Sequence, residues 1–255
     1  MDMTEDEVIK YFNGVVEYCE TFCFITRDNE LQSDSIAKLS ELNNLCLALK
    51  QQAIANNHED FANVLLGFEC VSRGLAAELE MWILLKQGRP DDAWDKLIEA
   101  QMAVVDSVRA HGSFAHNTAK VSNLEDIERL IFPPQVFVSA GLTVGRQECS
   151  ICGAEYGECE HLIGKPYWGE LCHVIARDIQ ADHVAMVEHP ADKRCRGTAF
   201  YTENGQRNRM TWKIEPREFE QDPVFEQQKS GEGARKEVRV IIKLMHRDLI
   251  ERRRK

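Results

Sequence analysis

The 255-residue chain has no apolar run long enough to cross a bilayer. Its longest stretches, such as Met81-Trp82-Ile83-Leu84-Leu85, fall far short of the ~18 residues a span requires. The start, Met-Asp-Met-Thr-Glu-Asp-Glu, lacks the basic residues that precede the apolar segment of a secretory leader, so a cytoplasmic protein is expected. The usual catalytic signatures are missing as well. There is no G-x-S-x-G, and Ser139 precedes Ala140-Gly141 without a leading glycine, which leaves serine catalysis unsupported. Neither G-x-x-x-x-G-K-[ST] nor G-x-G-x-x-G occurs, so no phosphate-cradling loop is legible. Nor is the composition that of a disordered chain: hydrophobic residues make up 44%, charged residues 29%, and the mean hydropathy is -0.38.

Negative charge is in excess, and unevenly spread. The net charge is -11, but residues 1–132 carry 23 acidic and 11 basic side chains, residues 133–234 carry 16 and 11, and residues 235–255 carry 3 and 9. An acidic body repels a phosphate backbone, while the tail ending Arg252-Arg253-Arg254-Lys255 attracts one; a solvated helix end is the plainer reading of that tail.

Hydrophobic periodicity makes residues 1–132 a helical domain. Thr4-Glu5-Asp6-Glu7 forms a capping-box pattern that opens a helix over 4–24. Ser33 or Asp34 is expected to open a second, with Ile36, Leu39, Leu42, Leu45 and Leu49 at helical spacing. A third starts between Asn57 and Asp60 and reaches the Gly88-Arg89-Pro90 break. A fourth begins at Pro90 and stops near His111-Gly112. Asn123 is expected to cap a short fifth, Leu124 to Ile131. The pair around Gly88-Arg89-Pro90, with Ala76 and Ala93 as small residues near the turn, resembles one helical hairpin of a tetratricopeptide repeat. No second copy is visible, so a compact bundle offering a groove to a partner helix or peptide is expected.

After Pro134 the period changes. Val136-Phe137-Val138 is β-branched and leads into a glycine-rich run, His173–Ala176 and His183–Val187 read as strands, and Thr198–Thr202 is expected to pair with Met210–Ile214 around Asn204-Gly205. Residues 133–215 therefore read as a β-rich domain, 216–234 as a linker, and Glu237–Leu249 as a strand turning into a helix.

Nine cysteines divide between these halves. Cys19, Cys23, Cys46 and Cys70 lie within apolar patterns and read as small core hydrophobes, although Cys19 and Cys23 at i, i+4 are placed to share a ligand. The other five cysteines and four of the eight histidines fall within residues 149–195. In a reducing compartment this enrichment points to metal. Cys149, Cys152, Cys159 and His161 form a C-x2-C-x6-C-x-H pattern. Two residues between the first thiols let both turn toward one ion, and Gly153 permits the positive φ of such a turn. Three thiolates and an imidazole fill the tetrahedral shell of Zn²⁺, which makes the expected role structural. The fourth position stays open at this stage: Cys172 competes with His161 if residues 162–171 fold back, and Cys195 and His173 are weaker substitutes.

The run Cys149-Ser150-Ile151-Cys152-Gly153, then Tyr156, Cys159-Glu160-His161, Gly164, Tyr167, Gly169 and Cys172, resembles a small cysteine-histidine module of phage and prophage proteins, some found near capsid-maturation proteases. The resemblance spans about 149–190. It implies metal binding and a phage-related setting, and no reaction.

The expected protein is thus α+β: a helical bundle followed by a small zinc-stabilised β-rich domain, acting as a non-enzymatic adaptor or assembly subunit toward a protein partner. Two alternatives remain. One is a nucleic-acid-binding accessory protein using Arg207, Arg209, the basic tail and stacking by Trp168, Tyr201 or Trp212. The other is a metal-dependent hydrolase with a second, open site drawn from His173, Asp178, Asp182, His183, Glu188 and His189.

Overall fold

The computed structural model describes residues 4–216 and the backbone of the strand Val240–Lys243. The linker read over 216–234, beyond its first residue, and the basic segment 235–255, beyond that strand, lie outside the described residues. So does the expected turn from strand into helix toward Leu249, and with it the tail on which the nucleic-acid reading depends. The fold is mixed α+β, five helices followed by antiparallel strands.

Helix α1 (Glu5–Glu20) opens as the capping box predicts: the Glu7 amide donates to Thr4 Oγ1 at 3.4 Å, and the Thr4 amide donates to Glu7 Oε2 at 2.8 Å. Helix α2 (Asn29–Ala55) begins earlier than Ser33. Asp28 caps it, accepting from the Glu30 amide at 2.7 Å. Its first inward side chain is the polar Gln32, fully buried, so the apolar stripe starts only later. Gln32 donates to the Phe22 and Phe24 carbonyls at 2.8 and 3.0 Å and accepts from Lys86 Nζ at 2.6 Å, which ties the α1–α2 loop to the end of α3. Helix α3 (Glu59–Lys86) and helix α4 (Pro90–Ala110) form a helical hairpin, with Pro90 in the first turn of α4 as expected. A 3-10 turn, Gly112–Asn117, then leads into α5 (Thr118–Ile131), which starts before Asn123. Only Leu124 of α5 is buried, so apolar spacing could not reveal its first turns.

The core runs through packed rings: Phe12 lies tilted on Phe68 at 4.9 Å, and Phe68 meets Phe114 edge-on at 5.0 Å. Trp94 of α4 packs on Phe132 at 5.4 Å. Cys19, Cys23, Cys46 and Cys70 are all buried here, and burial pushes the Cys46 and Cys70 thiols up to about 12. They are inert packing groups, as read.

Strand β1 (Phe137–Cys149) takes in the glycine-rich run and ends at the first site cysteine; β2 (Pro166–Tyr167) and β3 (Glu170–Leu171) form a small hairpin; β4 (Val174–Val187) unites the two strands read at 173–176 and 183–187. Strand β5 (Arg196–Thr202) pairs with β6 (Gly205–Asn208), Thr202 opposite Gly205, rather than with 210–214. Asn208 Oδ1 accepts from the Met210 and Thr211 amides at 2.7 and 3.0 Å, turning the chain so that β7 (Ile214–Glu215) pairs with β6 instead. Strand β8 (Val240–Lys243) pairs with β5.

The described residues group into two compact units. One joins the helices, through Phe132, to Ala140–His183; the other joins Pro133–Ser139 to the residues from Val184 onward. This differs from the boundary read at 132/133, because the cysteine-bearing segment packs on the helices.

Two helical glycines sit in opposite surroundings. A methyl on Gly67 would overlap the buried Phe114 ring, whereas one on Gly14 meets nothing within 4 Å. Gly14→Ala should stabilise by about 0.5–1 kcal/mol through helix propensity. Gly67→Ala should destabilise by about 1–3 kcal/mol through overpacking, so thermal melts of the two variants should move in opposite directions.

Candidate metal centre

Strand β1 delivers Cys149 to a tight turn. The Cys149 amide donates to the Ala154 carbonyl at 2.8 Å and the Gly153 amide to the Cys149 carbonyl at 2.9 Å, with Gly153 at φ 72°. That positive φ is the one the sequence predicts. The turn is fastened to the start of β4 by two hydrogen bonds, Ser150 amide to His173 carbonyl at 3.0 Å and His173 amide to Ser150 Oγ at 2.9 Å. The next loop returns Cys159 and His161 to the same place. One ligand atom from each of Cys149, Cys152, Cys159 and His161 lies within 4.8 Å of the others. Cys149 is buried, Cys159 and His161 half-buried, and Cys152 exposed.

This donor set can hold a metal ion, and the surroundings fit one. His161 Nδ1 is buried without a protein hydrogen-bond partner, a cost that a coordinate bond removes. The ring stands edge-on to Tyr167 at 4.7 Å, and Tyr167 Oη accepts from the Leu162 amide at 3.0 Å, so the tyrosine braces the loop that carries the imidazole. Burial raises the Cys149 thiol, but the Cys152 and Ile151 amides and the Cys159 and Cys152 thiols outweigh it and bring the group down to about 6. These donors favour the Cys149 thiolate, the form that ligates.

Cys172 is buried with its Sγ 3.8 Å from Cys149 Sγ. The other named candidates stay apart. Among the described residues, Cys19, Cys23, His173, His183, His189 and Cys195 do not join a group of three or more metal-ligating side chains. His183 instead contacts Asp182 at 3.1 Å, both exposed. Trp212 is 59% exposed and meets Phe200 edge-on, while Arg209 donates to the Pro134 carbonyl at 3.2 Å.

The spacing of the cysteines gave no sign of what anchors the loop. The β2–β3 hairpin turns on Trp168 and Gly169, both at positive φ (49° and 75°), the pattern of a type I′ turn. Two of its amides bond to a helix. Trp168 donates to Glu59 Oε1 at 3.2 Å and Gly169 to Asn63 Oδ1 at 2.8 Å, both on α3. Lys50 lies against Gly169 and is paired with Glu69 at 2.6 Å. Leu171 packs on Leu66, Cys70 and Ala110. The Tyr167-Trp168-Gly169-Glu170 turn was legible locally; its acceptors, over a hundred residues away, were not.

Comparisons with protein-family models, curated proteins and solved structures found no match for this chain, so neither the phage-module nor the tetratricopeptide resemblance gains support from them.

Asn63→Ala leaves the Gly169 amide without its acceptor, at a cost of about 1–3 kcal/mol. Hydrogen exchange at Gly169 should accelerate about 5- to 150-fold, with the α3 backbone amides near their wild-type protection. Unchanged exchange at Gly169 would show that the anchor does not hold the hairpin.

Proposed function

We propose that the chain is a non-enzymatic, zinc-stabilised adaptor or assembly subunit that engages a protein partner in a reducing compartment, the cytoplasm. The observation that carries this reading is the convergence of three thiols and one imidazole within 4.8 Å. Four such donors match the tetrahedral preference of Zn²⁺ and leave no position for substrate or activated water, which makes the ion a structural one. All nine cysteines are free, in keeping with the proposed compartment.

The partner's place is suggested by α1. A shallow depression of about 600 Å³ is lined by Tyr11, Gly14, Val15, Tyr18 and Lys38, with Tyr11 and Tyr18 about half exposed. Aromatic side chains presented this way supply the large contact areas that dominate protein interfaces. The phage-related setting implied by the cysteine-histidine module belongs to the same proposal: an assembly subunit needs a docking surface and a rigid scaffold, and no catalytic constellation.

Protein purified at neutral pH should carry about one zinc per chain, and less than ~0.2 would count heavily against the centre. Cys152→Ser should release the ion and speed amide exchange across 149–173, while the far-UV helical signal stays near wild type. A collapse of that signal would mean that the bundle depends on the metal, contrary to a scaffold built on independent helices.

A further inference from the structure

The proposed centre has one donor more than a tetrahedral ion needs. Two zinc–sulfur bonds of ~2.3 Å at the tetrahedral angle place their sulfurs about 3.8 Å apart. The Cys149 and Cys172 Sγ atoms are 3.8 Å apart. Cys172 is 1% exposed, and its backbone is pinned on both sides: its amide donates to the Lys165 carbonyl at 2.9 Å and its carbonyl accepts from the Gly164 amide at 2.8 Å. The Ser150–His173 hydrogen bonds hold the next residue against the Cys149 turn. His161 is held less firmly. It sits on a loop whose next two residues, Leu162 and Ile163, are 59% and 56% exposed; the Leu162 amide donates to the Tyr167 hydroxyl and the Leu162 carbonyl accepts from the Lys165 amide.

We propose that Cys172 is a reserve ligand of this centre, taking the fourth coordination position as a thiolate whenever His161 leaves it. The inference rests on the metal-site reading above. Cys149, Cys152 and Cys159 stay bound throughout; the imidazole–metal bond breaks, a Cys172 sulfur–metal bond forms, and the thiol proton passes to the freed imidazole. The shell changes from three sulfurs and a nitrogen to four sulfurs. A site able to do this suits soft, thiophilic divalent cations as well as zinc and keeps its ion when the histidine loop is disturbed.

Cobalt(II) provides the test, since the intensity of its thiolate-to-metal absorption grows with the number of bound sulfurs. The full chain is titrated with cobalt as wild type, His161→Ala, Cys172→Ser and the double variant. The band should rise by about one third in His161→Ala, as three thiolates become four. It should be unchanged in Cys172→Ser. The double variant should bind cobalt at least about tenfold more weakly than either single variant. A band that does not rise in His161→Ala, or equal binding by His161→Ala and the double variant, would overturn the proposal. A band that falls in Cys172→Ser alone would make Cys172 a resident ligand and overturn it too. Wild-type protein that binds no cobalt would instead sink the metal-site reading itself.

Discussion

Between Ala140 and His183 only Cys149, Gly169 and Cys172 are buried. A stretch of this length with so few sequestered side chains cannot offset its conformational entropy by hydrophobic burial. What it has instead is sulfur: both buried side chains larger than hydrogen are cysteines, and they touch each other. Small segments without a core are held by metals, disulfides or docking, and this one combines a metal-competent donor cluster with docking on helices. The rest of the unit's architecture follows from that. Strand β1 must end where Cys149 turns, β4 must start where Ser150 can reach His173, and the β2–β3 hairpin must lie against α3.

Local chemistry was legible in the sequence wherever a residue type has a single strong use. The Thr4–Glu7 box, Pro90 in a first turn, and Gly153 after a second cysteine each predict a backbone state that the structure adopts. The ligand pattern itself was readable for the same reason. The misplaced boundaries have a common cause as well: polar residues performing inward tasks. Gln32 occupies a buried position of α2 by bonding two carbonyls and a lysine, so an apolar stripe could not mark the turn it belongs to. Asn208 redirects the chain after β6, and a pairing rule built on alternating apolar residues has no means to count it.

The packing of the cysteine-bearing segment was not legible, because its partners are far apart in the chain. Glu59 and Asn63 look like ordinary polar residues near the start of a helix. Their function as acceptors for Trp168 and Gly169 appears only when α3 and the hairpin are side by side. The division at residue 132/133 followed a change of hydrophobic period, which is a property of secondary structure. Compact units follow contacts, and these carry Ala140–His183 back to the helices.

The two classes of cysteine show how burial alone fails to decide the fate of a thiol. Cys46 and Cys149 are equally inaccessible. The Cys46 S–H donates to the Leu65 carbonyl at 2.9 Å, and burial, with the Glu69 carboxylate nearby, outweighs the Glu69 amide and Lys50 and drives the thiol toward the neutral form. Cys149 faces two backbone amides and neighbouring thiols, all donors, and they favour the thiolate. Desolvation acts on both; the sign of the outcome is set by whether the donors facing the sulfur outweigh it. The turn after a strand leaves amides free to point at sulfur, as those of Ile151 and Cys152 do toward Cys149 where β1 ends.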